Sequence, residues 1–193
     1  MKINQFLLKG YILNTFLDKG DLMITIKNKS KISTDKIEKI IELLPDEYKN
    51  DFIDIRVYDS VWEVLKVIFS NNFSITPLDF ISIFRLKIVG AYSGEKANII
   101  EMYLFNIPKE YREMYFILNL FHEFRHFYQK KYNDEFYESN RFIPTTDADL
   151  NKYINNNLEL DAEEFAYNFY TENQNTINEI MGFEDNYELK KKF

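Results

Sequence analysis

Residues 121–129, Phe121-His122-Glu123-Phe124-Arg125-His126-Phe127-Tyr128-Gln129, decide how the rest of the chain is read. They contain both histidines of the 193-residue sequence. Side chains four residues apart lie on one face of a helix, so His122 and His126 can close on a single metal ion. Glu123 projects beside them, where a carboxylate can hold and deprotonate a metal-bound water. With only two histidines in the chain, a histidine-rich composition does not explain this spacing.

The surroundings predict a buried helix. Asn106 is a candidate cap, Pro108 sits just inside the start, Glu110 falls in the favourable first turn, and the pattern runs to about Lys130. At a hundred degrees per residue, Tyr115, Asn119, His122, His126 and Gln129 share one side, with Glu123 adjoining. Phe116, Leu120, Phe124 and Phe127 take a second side, and Ile117, Phe121 and Tyr128 a third. A helix apolar on every face but one is buried, so its polar stripe looks into a cleft.

Upstream, Ile83–Tyr92 reads as a strand, Ser93-Gly94-Glu95-Lys96 as a turn and Ala97–Phe105 as the return strand. Ile53–Tyr58 alternates as a strand does, and Val61–Phe69 follows as a short helix. Ile37, Ile40, Ile41 and Leu44 recur at helical spacing over Asp35–Leu44, ended by Pro45. Phe6–Leu13 and Leu22–Lys27 form a hairpin around Asp18–Asp21, and Asn71–Pro77 reads as a loop. Downstream, Tyr132–Asn157 is polar and reads as a long connection, with a helical turn near Asp149–Ile154. A helix then spans about Asn157–Thr171.

A metal site of this kind needs another protein ligand. The chain has no cysteine and no third histidine, which leaves an acid or, less often, a tyrosine. On the helix of Leu158-Glu159-Leu160-Asp161-Ala162-Glu163-Glu164-Phe165-Ala166, the positions Leu158, Ala162, Phe165 and Phe169 form an apolar stripe. Glu159 and Glu163 flank it beside Ala162 and Ala166, whose small size permits close approach to the motif helix. Glu159 ranks first as ligand. Glu163 could accept a hydrogen bond from the free ring nitrogen of a ligand histidine. Asp161 lies on the opposite flank.

Composition narrows the alternatives. At 46% hydrophobic and 17% aromatic, the chain can bury a substantial core as one domain, residues 1–193, with 1–52 an N-terminal hairpin and helix and 53–193 the core unit. A net charge of -7 opposes nucleic-acid binding. The sequence shows no long apolar stretch and no signal-peptide core, which points to the cytoplasm.

HEFRH followed by ExDAxxFA resembles the gluzincin metallopeptidases, especially the ImmA/IrrE-like family of small bacterial and phage proteins; the likeness covers about Ile83–Phe169. It implies an α+β, minimal zincin-like domain: a small mixed sheet whose edge strand packs on the HExxH helix, and a C-terminal helix carrying the third ligand. It also implies Zn2+ held by His122, His126 and Glu159, Glu123 as general base, and hydrolysis of a specific protein partner such as a separate repressor. Glu163 stands where the family has Asn or Asp, and Arg125 where it often has a small residue. The strand at Asn98–Phe105 would be the edge that pairs with an extended substrate. Tyr92, Tyr115, Tyr170 or Arg125 would donate to the oxyanion, or zinc would act alone; core packing accounts for each tyrosine more readily and an ion pair for Arg125.

Two rivals compete with this reading. A zincin-scaffold binding protein could keep the metal without catalysis, but it has no need of Glu123. An acidic, aromatic interaction module would leave HExxH accidental, and metal analysis separates it from the other two.

Overall fold

A computed structural model describes residues 24–70, 75–94, 97–141 and 147–184. The first strand of the expected N-terminal hairpin, Phe6–Leu13, lies outside them. The second is present as β1 (Ile24–Lys29), followed by α1 (Thr34–Glu42), β2 (Ile53–Tyr58), α2 (Val61–Phe69) and α3 (Pro77–Arg85). Next come β3 (Gly90–Ser93), β4 (Ile99–Tyr103), α4 (Arg112–Tyr132), α5 (Asp134–Asn140), α6 (Asp147–Ile154), α7 (Asn157–Glu172) and α8 (Gln174–Met181).

The described residues are α+β, built on a four-stranded, mostly parallel sheet of order β1-β2-β4-β3. β1, β2 and β4 run parallel, and β3 returns antiparallel to β4. Alternation along the strands sorts the two faces. Ile24, Ile26, Ile53, Ile55, Val57, Ile100 and Met102 turn toward α4 and α1, whereas Tyr58 and Tyr103 meet Val64 of α2 and Ile83 of α3. Phe116, Ile117, Leu120, Phe121, Phe124 and Phe127 seat α4 in the main core and are essentially inaccessible to solvent. Each such burial stabilises by roughly 1.5–3 kcal/mol, so the motif helix is anchored independently of any metal. Lys130 and Lys131 in its last turn complement its dipole.

Three expectations are corrected. Ile83–Tyr92 is not one strand: α3 takes its first part, leaving Gly90–Ser93 for β3. Thr76 and Asp79 form a reciprocal capping box, with Thr76 Oγ1 accepting from Asp79 N at 3.1 Å and Asp79 Oδ2 from Thr76 N at 2.8 Å, and Pro77 occupies the first turn. That cap starts the helix where sequence periodicity suggested a loop and strand. Second, among the described residues β4 is interior and β3 is the edge. Third, the long polar connection contains α5 and α6 in place of a single helical turn.

Among the described residues, no helix is long and apolar enough to cross a membrane.

Candidate metal centre

Helices α4 and α7 pack side by side, and Ala162 and Ala166 are buried at their contact. With no side chain beyond Cβ, these alanines let the backbones approach. Asn156 caps α7 by accepting from Leu158 N at 2.8 Å, placing Glu159 in the first turn, where the helix dipole favours an anion. The Glu159 carboxylate therefore reaches the paired imidazoles. His122 Nε2 lies 3.0 Å from His126 Nε2 and 3.2 Å from Glu159 Oε2, and His126 Nε2 is 3.4 Å from Glu159 Oε1. Ligand atoms about 2.0–2.1 Å from one tetrahedral ion stand about 3.3 Å apart; the His122–His126 and His122–Glu159 separations match this, and one donor atom from each of the three residues lies within 4.8 Å of the other two. The donor set, two imidazole nitrogens and a carboxylate, is also one that zinc accepts.

No family model, curated protein or solved structure matches the chain.

His126, Glu159 and Glu123 are buried, and His122 is half-buried. Burial alone would push the Glu159 carboxyl up, but hydrogen bonds from His122 and His126 outweigh it and hold the group down at about 2. Burial opposes charge on His126 as well; the Glu159 carboxylate overrides it and raises the imidazole to about 9. A metal entering below that pH must expel a proton from His126. Burial raises the Glu123 carboxyl, while the two imidazoles and the Tyr92 main-chain N–H pull it back.

Strand β3 fits around that carboxylate. Tyr103 N donates to Val89 O at 2.7 Å, which sets the antiparallel register and turns the backbone groups of Ala91 and Ser93 toward β4. Gly90 and Tyr92 consequently face the open edge, and Tyr92 N–H meets Glu123. A Cβ on Gly90 would stand 2.6 Å from Glu123 Oε1 and 2.9 Å from its Cγ, so only glycine leaves room for the acid. Were Glu123 the base of a hydrolytic reaction, Gly90→Ala would keep metal affinity unchanged while lowering the rate by up to about 100-fold, the scale of a 1 Å displacement of a reacting group. Parallel zinc titrations and rate measurements would check this.

The remaining sequence candidates separate cleanly. Glu163 Oε2 stands 3.7 Å from His122 Nδ1, too long for a hydrogen bond, with its side chain 43% exposed. Arg125 donates to Asp161 through Nε at 2.8 Å and Nη2 at 3.1 Å, and to the Tyr48 hydroxyl at 2.7 Å. Its guanidinium also lies over the Tyr128 and Phe165 rings, so it clamps α7 to α4. Tyr92 donates its hydroxyl to Asn98 Oδ1 at 2.9 Å, Tyr115 is exposed against Tyr111, and Tyr170 is fully buried in the core. Arg125, Tyr92, Tyr115 and Tyr170 are thus engaged away from the imidazole pair.

Sequence reasoning missed Tyr153 of α6. It hydrogen-bonds Glu159, and burial beside Glu159 and Glu123 pushes its hydroxyl well above the ordinary range. A hydroxyl held protonated in this way is a hydrogen-bond donor within the site. The only signal in the sequence is an aromatic residue inside the asparagine-rich stretch 151–157. The sequence puts Gln129 on the same helix face as the histidines without indicating a role; its Oε1 lies 2.7 Å from His126 Nδ1.

Proposed function

We propose that this chain is a zinc-dependent metalloendopeptidase on a minimal zincin-like scaffold, similar to the ImmA/IrrE-like gluzincins. One observation carries the reading: two imidazole nitrogens and the Glu159 carboxylate converge on a common centre beside the buried carboxylate of Glu123. A binding scaffold has use for the first three groups but not for the fourth.

His122, His126 and Glu159 would hold the ion. When bound, zinc supplies Lewis acidity that lowers the pKa of a water and polarises the scissile carbonyl. Glu123 takes the proton of the attacking water and delivers it to the leaving amine nitrogen, and its upward-shifted carboxyl suits a group that must accept and then return a proton. Tyr153, kept protonated, donates to the developing oxyanion. An extended substrate pairs along the open side of β3 through the main chain of Gly90 and the carbonyl of Tyr92. The partner inferred from the family resemblance is a specific cytoplasmic protein such as a separately encoded repressor.

The test is cleavage of a proteome-derived peptide library by the zinc-loaded chain, with new N-termini read by mass spectrometry. Discrete cleavages that vanish on chelation and return with zinc are expected. A zinc-loaded chain that cuts nothing would remove the hydrolase reading.

A further inference from the structure

We infer that Gln129 is the positioning residue of the metal centre, fixing which nitrogen of His126 faces the ion and holding Glu159 opposite it. The inference rests on the metal reading above but assigns a role that neither the HExxH pattern nor the acidic helix contains.

Hydrogen-bond polarity at Gln129 leaves one arrangement. Its Nε2 lies 3.0 Å from the Leu158 carbonyl oxygen and 2.6 Å from Asp161 Oδ2. Both are acceptors, so the amide NH2 must point at them and Oε1 must point at His126 Nδ1, 2.7 Å away. An amide oxygen only accepts. His126 Nδ1 therefore keeps a proton and donates it, so the proton that a metal displaces is the one on Nε2, the nitrogen that faces His122 and Glu159. The assignment is locked from outside the site, because Asp161 is itself held by two bonds from Arg125. The side chain is 3% exposed, so water does not compete for either end.

The same two donor bonds settle a second matter. Leu158 and Asp161 stand on either side of Glu159 along the N-terminal part of α7. By tying both to α4 one turn beyond His126, Gln129 sets the register in which the Glu159 carboxylate meets the imidazoles. Among the described residues His122 has no equivalent support: its Nδ1 stands 3.7 Å from the partly exposed Glu163. One ligand is locked and the other is loosely held.

The test compares the wild-type chain with Gln129→Met, which keeps the length and loses the amide. In the metal-free wild type labelled with 15N-histidine, the His126 Nδ1–H should give a slowly exchanging, downfield proton signal. A His126 Nδ1 that lacks a proton, or whose proton exchanges as fast as that of His122, overturns the inference without any variant. By competition with a chromophoric chelator, Gln129→Met should bind zinc about 10–100-fold more weakly, the usual worth of a histidine-orienting partner, at a thermal midpoint showing it folded. An affinity within twofold of wild type overturns the role of Gln129 and leaves the zinc reading standing. Failure of the wild type itself to take up zinc removes that reading, while the protected Nδ1–H still reports on the Gln129–His126 bond.

Discussion

Replacing Glu123 by glutamine should lower peptide hydrolysis by about 10²–10⁴-fold, the range of a lost general base, while zinc content stays at the wild-type level. The two halves of this expectation have separate structural grounds. The three converging atoms belong to His122, His126 and Glu159, so Glu123 is not needed to hold the ion. The amide of glutamine matches the shape that Gly90 leaves free and can still accept from Tyr92 N–H. It cannot take up a proton. Retained activity would show that another group serves as base, and loss of zinc along with activity would show that Glu123 supports the site rather than the chemistry.

Glu159→Gln should weaken zinc binding by more than about 100-fold, exceeding the effect expected for a partner that only orients a ligand. The substitution keeps the volume, so Ala162 and Ala166 still seat α7 on α4. What it removes is the only carboxylate that hydrogen-bonds both imidazoles among the described residues. In the metal-free chain the change should also bring the His126 pKa down from about 9, because the neighbouring negative charge, which outweighs burial there, is gone. The sign for stability follows. A histidine with a raised folded pKa stabilises fully below its unfolded value near 6.5, and that contribution is lost as pH rises toward 9. Metal-free Glu159→Gln should thus show a flatter dependence of stability on pH across this window than the wild type. Thermal melts between pH 6 and 9, with zinc titrations alongside, measure both effects.

Much of this arrangement is legible in the residues themselves. The motif helix announces itself because phenylalanine and leucine cover all but one of its faces, and Glu159 stands out because two alanines and an apolar stripe share its helix. Ile53–Tyr58 and Val61–Phe69 have the same limits in sequence and structure, each bounded by turn or capping residues. Periodicity failed where local capping overrode it. Thr76, Pro77 and Asp79 begin a helix whose apolar content resembles a strand when read alone. The edge strand is not legible in the sequence because sheet order depends on which strands pair, and a hairpin pattern does not reveal which member meets β2. Gly90 gave no signal, since its purpose is the space it leaves for a side chain 33 positions away. Tyr153 and Gln129 were hidden for a related reason: their partners lie on other helices, and polarity alone does not separate a buried amide from a solvated one.

Zinc content after gel filtration of the chain in zinc-containing buffer, measured by elemental analysis beside His126→Ala, bears most directly on all of this. The expected result is one zinc ion per wild-type chain and none in the variant. A wild type that emerges without zinc, or a variant that carries as much, would contradict a metal centre built from His122, His126 and Glu159.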